Sequence, residues 1–364
     1  MSAESPDLLV VGASFAGCAC AIRAAQLGLK VRLIERKRDV GTRIHTTGIL
    51  VCDAINSNHF LQNIPSGLTR RIETIRLFSP DLHEVVLRSP GYYFLATDTP
   101  NLMRWLVAQA SAAGVDVRLG TAFTGARAIS GGIELPGQTR AHFLVGADGP
   151  QSSVARTFGL SPVRHFLFGV EHELAQTKVP DANALYCFLT RRHARGYIGW
   201  AFQGTHAVQA GTAMRYRAAQ GRAHALPDAS GFFRHIAPVL PFDGAHKSAV
   251  RAGLIPCGGL VEKFAGPRVL LVGDAAGLVS PVTAGVIHMA WKHGWHMGEA
   301  IAGYLLRGAV DPGEVARRTY TRFAFKRLLR WGYDYFQYDW IFNALLHTRA
   351  MRAAAQEVYF HRRG

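Results

Sequence analysis

The stretch that most constrains this chain is Gly12-Ala-Ser-Phe-Ala-Gly17, because glycines at its two ends suit a turn where backbone must come close to another group. Ahead of it lies the short aliphatic run Asp7-Leu-Leu-Val-Val-Gly12. After it come small residues through Gly28, and then a second strand-like run, Lys30-Val-Arg-Leu-Ile-Glu35. Strand, turn, helix and strand within about 30 residues make a βαβ unit. Ser14 stands where GxGxxG has its second glycine and adds only a hydroxymethyl group there. Gly12, Ser14, Phe15, Ala16 and Gly17 are therefore expected to face a pyrophosphate at the helix N-terminus. Glu35, about 20 residues on, is expected to accept hydrogen bonds from an adenosine ribose.

Two later stations separate FAD from NAD. Phe143-Leu-Val-Gly-Ala-Asp148-Gly149-Pro150 delivers an acid and a glycine to a strand end. Val269-Leu-Leu-Val-Gly273-Asp274-Ala-Ala-Gly-Leu-Val-Ser-Pro281 repeats the pattern late in the chain. Carboxylates so placed can hold ribitol hydroxyls, and a helix beginning near Gly285 and Val286 would aim its positive end at the pyrimidine edge of a flavin. Read alone, either station is also an ordinary strand-end turn. Together and in this order, they predict non-covalent FAD.

The rest of the chain divides around these stations. A hairpin is expected over residues 72–87 with Pro80-Asp81 as its turn, and a helix over 100–113. Short strands are expected at 115–119, 121–129, 132–135 and 141–145. Between about 163 and 254 strand-like runs recur (184–190, 196–202, 207–214), and a strand at 267–273 and a helix at 285–306 return to the first fold. The fold class is thus α/β: a Rossmann-type, three-layer ββα FAD-binding domain (1–75, 95–160 and 250–306), an inserted antiparallel-sheet substrate domain (76–94 and 161–249) and a helical C-terminus (307–364).

Composition narrows the class further. A formal charge of +16, from 41 basic against 25 acidic side chains, attracts anions such as nucleotide phosphates or acidic headgroups, or simply makes a solvated surface. Nucleic acid is not expected, since the basic residues are scattered and form no nucleic-acid motif. Five cysteines without a CxxC pair support neither a metal site nor a disulfide framework. Residues 8–25 lack a basic leader, and no run reaches the roughly 20 apolar residues of a membrane span. A cytoplasmic protein is expected, peripheral to a membrane at most. The stretch 317–331 mixes basic and aromatic residues at helical spacing, which suits either a membrane surface or a helix packed by its aromatic face.

The three stations resemble those of the FAD enzymes that include the aromatic hydroxylases and the geranylgeranyl reductases. Within that group Gly273-Asp-Ala-Ala-Gly-Leu-Val-Ser-Pro281-Val-Thr-Ala-Gly285-Val-Ile-His288 is similar to the reductase branch. Tyr197-Ile-Gly-Trp200-Ala-Phe202-Gln203, followed by Gly211, resembles its YxWxFP motif with Gln for Pro. The resemblance implies saturation of isoprenoid double bonds, with Tyr197, Trp200 and Phe202 beside an apolar substrate; on their own these aromatics read as sheet-core packing. Two positions depart from the pattern. Thr99 replaces an arginine common in the wider group, leaving Arg36 or Arg43 as phosphate neighbours, and 41–50 holds no cysteine but has His45, which can donate a proton or pack.

Three functions follow from this reading. The first is reduction of carbon–carbon double bonds of an isoprenoid or similarly apolar substrate by hydride transfer from flavin N5. The second is a monooxygenase that hydroxylates or epoxidises with dioxygen. The third is a flavin- or lipid-binding protein without turnover. Fold alone does not choose among them. No second glycine-rich βαβ unit exists, so the reductant, NAD(P)H or a ferredoxin, would dock transiently.

Overall fold

Aliphatic runs buried on both faces form the first sheet, as parallel strands covered on each side require. The computed structural model describes residues 5–137, 139–216, 226–242, 244–282 and 287–360. They divide into two units: Met1–Arg43, Pro100–Arg164 and Pro256–Ala324 make the first, and Ile44–Thr99, His165–Ile255 and Phe325–Gly364 the second.

In the first unit six strands lie in the order Ala265–Gly266, Val269–Leu271, Phe143–Gly146, Leu8–Val11, Val31–Glu35, Asp116–Leu119. The last five run parallel, with Leu8 opposite both Phe143 and Val31. A three-stranded antiparallel sheet (Arg127–Ile129, Gly132–Glu134, Arg140–Ala141) and the helices Phe15–Gln26 and Ile287–Arg307 complete the ββα layering. Of the strand expected over 121–129 only Arg127–Ile129 forms, where pairing to Gly132–Glu134 supplies partners for the backbone. The helix expected over 100–113 spans Thr99–Ala112.

The two helices approach until their backbones touch. A Cβ at Gly294 would stand 2.2 Å from the Ala16 carbonyl oxygen, and one at Gly298 2.5 Å from that of Cys20. Glycines four apart put both gaps on one helix face. Gly294→Ala is expected to destabilise the protein by about 1–3 kcal/mol through overpacking, read as a lower urea midpoint. Gly332→Ala is the contrasting case. Its Cβ would meet nothing within 4 Å, so helix propensity should stabilise by up to about 1 kcal/mol.

In the second unit seven strands run in the order His246–Pro256, Phe166–Ala175, Val208–Tyr216, Gly199–Gln203, Ala184–Phe188, Thr74–Phe78, Glu84–Arg88. Thr74–Phe78 and Glu84–Arg88 form the expected hairpin. The sheet is not wholly antiparallel, because Thr74–Phe78 enters beside Ala184–Phe188 in parallel. One face carries Phe78, Tyr186, Phe188, Ala201 and Ala210, which pack with Phe232 and Ile236 of the helix Ala229–Ile236. A three-stranded sheet (Ile49–Val51, Phe94–Thr97, Thr69–Ile72) and three C-terminal helices (Ala324–Phe336, Asp339–Leu345, Arg349–Phe360) belong to the same unit.

Helix Ala324–Phe336 reverses the usual polarity. Arg330 (5% exposed) ion-pairs with Asp334, and the nearby buried Gln337 accepts from the Gly196 amide at 2.5 Å. Leu328, Trp331, Tyr335 and Phe336 are 62%, 55%, 58% and 58% exposed. Of the two placements the spacing allows, packing by the aromatic face is not the one found: these aromatics point outward, because the polar face already has partners in the segment 194–215. Among the described residues no helix is long and apolar enough to cross a membrane.

Candidate functional site

The three stations follow neighbouring parallel strands at their carboxyl ends: Gly12 after Leu8–Val11, Asp148 after Phe143–Gly146, and Gly273 after Val269–Leu271. Glu35 ends the strand on the other side of Leu8–Val11. The strand order reverses direction along the sequence here, the position where open α/β sheets take ligands.

The first turn needs both glycines because backbone segments pass close to one another there. Gly12 has φ +103°, and a Cβ there would stand 2.5 Å from the Ala147 carbonyl oxygen. At Gly17 a Cβ would stand 2.0 Å from the Gly12 carbonyl oxygen. Ser14 is the N-cap of helix Phe15–Gln26, its hydroxyl accepting from the Gly17 amide at 3.2 Å. That bond gives the non-glycine position a structural reason. The Glu35 carboxylate accepts the Ala13 amide at 3.0 Å and the Lys37 amide at 2.9 Å, which fixes its direction at the strand end. Beyond it, Lys37 Nζ donates to the carbonyls of Thr42 (2.8 Å) and Arg43 (3.2 Å). Arg36 and Arg43 are exposed, and Arg43 holds φ +48°. Phe15 and Ala16 are buried in the helix's first turn.

The two acids that looked equivalent in sequence differ in the fold. Asp148 accepts from Ser152 Oγ at 2.6 Å and from the amides of Ser153 (2.7 Å) and Val154 (3.1 Å), so it caps the helix Ser153–Thr157. Gly149 beside it has φ +83° and open space where a Cβ would be. The Asp274 carboxylate has no hydrogen-bond partner among the described residues, and burial pushes its pKa up to about 6. A half-buried carboxylate without donors among the described residues fits a ligand that brings hydroxyl groups. Gly273 (φ +58°) lets this turn run close to Ala16, where a Cβ would stand 2.9 Å from the Ala16 Cβ. Pro281 is buried; Gly285 and Val286 lie outside the described residues.

In the second unit Trp200, Gly211 and Glu171 lie in register on three neighbouring strands. Gly211 has no side chain, so the indole crosses above it and Trp200 Nε1 donates to Glu171 Oε2 at 2.7 Å. Glu171 is 3% exposed, and desolvation pushes its pKa up against the pull of Arg251. Arg251 lies 3.7 Å from Glu171, bonds to Glu173, and donates to the Thr46 carbonyl at 3.1 Å. The next residue continues the latch, with His45 Nδ1 2.7 Å from the Ala252 carbonyl oxygen. A carbonyl only accepts, so Nδ1 carries the proton and Nε2 is the nitrogen left for chemistry. A Cβ at Gly253 would be 3.0 Å from the His45 Cβ.

The buried ion cluster of Glu171, Glu173 and Arg251 thus ties Trp200 to the segment that carries the exposed His45. Tyr197 precedes the strand Gly199–Gln203 rather than lying in it, and its ring meets Trp200 edge-on at 6.4 Å. Burial raises its phenol pKa, so it stays protonated. Phe202 is fully buried. Glu171, Glu173, Arg251 and Gly253 escaped the sequence reading. Their one signal was the pair Glu171 and Glu173, two acids on one face of a strand that otherwise carries a single polar residue, His172.

The sequence model of the family described as FAD binding domain matches residues 6–312. Digeranylgeranylglycerophospholipid reductase 2 of Methanothermobacter thermautotrophicus is 28% identical over 317 residues, 84% of this chain and 80% of its own length. The protein of the same name from Methanopyrus kandleri is 28% identical over 319 residues, 81% of this chain and 76% of its own. Among solved structures, a geranylgeranyl bacteriochlorophyll reductase-like protein of Thermoplasma acidophilum has a TM-score of 0.79 at 18% identity, over 98% of this chain and 97% of its own. Aklavinone-11 hydroxylase, solved with FAD and aklavinone, has 0.63 at 19% identity, over 85% and 64%. These structural likenesses establish the fold, on which reductase-like and hydroxylase proteins both occur.

Proposed function

We propose that this chain, which belongs to the FAD binding domain family, saturates carbon–carbon double bonds of an isoprenoid lipid. It is an FAD-dependent oxidoreductase. The observation that carries the choice of reaction is the similarity over more than four-fifths of the chain to two digeranylgeranylglycerophospholipid reductases. When bound and reduced by an external electron donor, FAD would supply the hydride for one alkene carbon, and a proton would complete the other.

The first unit is assigned to the cofactor and the second to the substrate. Gly12, Ser14 and Gly17 take the pyrophosphate, Glu35 the adenosine ribose with Arg36 and Arg43 near it, and Asp274 a ribitol hydroxyl, while Asp148 with Gly149 shapes the neighbouring turn. Phe15, Ala16, Gly273, Pro281, Gly285 and Val286 belong to the same cofactor segments. His45, its Nδ1 proton bonded to the Ala252 carbonyl, relays a proton through Nε2, Trp200 and Tyr197 orient the chain of the substrate, and Phe202 packs the strand beneath them.

Enzyme reduced with dithionite and mixed anaerobically with a geranylgeranylated glycerophospholipid is expected to give a product two hydrogens heavier per bond reduced. Dithionite makes the result independent of whether a nicotinamide or a ferredoxin is the donor. A hydroxylated product that forms only with dioxygen would replace this reading by the monooxygenase.

The lipid is reached from an anionic bilayer surface through the outward face of Ala324–Phe336 and Trp340. Trp331, Phe336 and Trp340 (55%, 58% and 68% exposed) offer the aromatic rings, and exposed Arg327 the charge, that suit a headgroup interface. Vesicles of phosphatidylglycerol are expected to sediment the protein, and Trp331→Ser with Trp340→Ser to weaken this about tenfold or more. Self-association through the same face with no vesicle binding would reject it.

A further inference from the structure

The helix Ala229–Ile236 carries basic groups that no role above uses. Arg234 and His235 stand in its last turn. Arg192 and His193 belong to the turn after strand Ala184–Phe188, and with Asp228 and Gly231 these residues line a cavity of about 380 Å³. Its walls are set before any ligand arrives. Thr212 Oγ1 donates to the His193 carbonyl at 2.7 Å, the Arg191 amide to Asp339 at 2.8 Å, and the Ala194 amide to the Thr190 carbonyl at 2.9 Å. On the helix side Phe232 and Ile236 are fully buried.

His193 is 9% exposed, and its ring lies 5.3 Å from that of His235. His235 Nε2 is buried without a hydrogen-bond partner among the described residues. Gly231 keeps the space open, since a Cβ there would come 3.3 Å from His193 Cε1 and 2.3 Å from Asp228 Oδ2. The acid of the lining is already committed: Asp228 Oδ1 accepts the Gly231 amide at 2.9 Å as N-cap of the helix. Arg192 and Arg234 are exposed and make no ion pair among the described residues. Burial, with neighbouring Arg192, holds both imidazoles below their ordinary pKa. Two guanidiniums with no ion pair among the described residues, beside two imidazoles able to donate a hydrogen bond, make a receptor for an oxyanion, their combined positive charge set against Asp228 in the lining and Asp339 near His235.

We propose that this cavity binds a phosphate-class oxyanion, carried either by a lipid headgroup or by free phosphate. The experiment uses the full-length protein saturated with FAD, so that the pyrophosphate cradle is already filled. Inorganic phosphate is titrated calorimetrically at constant ionic strength, and saturable binding to one site per chain is expected. Arg192→Gln with Arg234→Gln should weaken it about tenfold or more, as loss of charge-assisted bonds implies, while Arg349→Gln with Arg352→Gln, exposed arginines elsewhere, should leave it unchanged. Dibutyryl phosphatidate binding more tightly than phosphate at the same site identifies the headgroup as the source, and equal affinity identifies free phosphate. Absence of saturable binding, or equal affinity in the Arg192/Arg234 double variant, overturns the proposal. Neither outcome depends on which reaction the flavin performs.

Discussion

FAD-free Asp274→Asn protein is expected to be more stable than the native protein above pH 6 and to bind FAD more weakly. Burial lifts this carboxyl from 3.8 to about 6, so the fold disfavours its ionised form. The group's contribution to stability is therefore fully present below the unfolded value and is lost as pH rises through the folded one. Above pH 6 the shift corresponds to at most about 3 kcal/mol. Asparagine does not ionise. The variant's advantage should be largest near pH 7.5 and vanish below pH 4, as read from urea unfolding across that range. Flavin fluorescence titration should show the opposite sign: losing a charge-assisted bond to a ribitol hydroxyl weakens binding by about 1.5–3 kcal/mol. Equal stability of the two proteins at pH 7.5 would show that the carboxyl is not held up. Equal FAD affinity would remove Asp274 from the cofactor site.

Arg251→Ala carries the larger structural penalty. Removing this guanidinium, 8% exposed in the native fold, leaves Glu171 buried without its nearest cation. Breaking such a pair from one side costs about 3–5 kcal/mol. Thr46 also loses the donor to its carbonyl, so the segment that carries His45 loosens with it. Adding Glu171→Gln should recover part of the loss, because an amide needs no counter-charge and can still accept from the Trp200 indole. Thermal unfolding of the single and double variants gives the comparison. A loss under about 1 kcal/mol for Arg251→Ala would mean that water reaches the cluster.

Much of the first unit was legible in the residues. The fingerprint, the acid at Glu35 and the late Gly273-Asp274 turn are local devices, each within a few residues of a strand end, and local devices leave local signals. The parallel entry of Thr74–Phe78 beside Ala184–Phe188 was not legible, since these segments are more than a hundred residues apart and a period of two is the same in either orientation. The outward face of Ala324–Phe336 was not legible for a related reason. Periodicity locates an aromatic stripe on a helix, but whether it faces protein or solvent depends on what the opposite face finds to bond with, here Gly196 and Ala194.

The same division holds for the site. By itself the sequence determined the FAD fold and the kinds of group at each station, because hydrophobic pattern and backbone geometry dictate glycines, caps and acids at fixed spacings. Only the tertiary structure decided that Asp148 spends its carboxylate on a helix cap while Asp274 meets no hydrogen-bond donor among the described residues, and that a buried cluster around Arg251 ties Trp200 to the segment carrying His45. Desolvation and hydrogen-bond partnership are properties of how distant segments pack, and no local spacing encodes them.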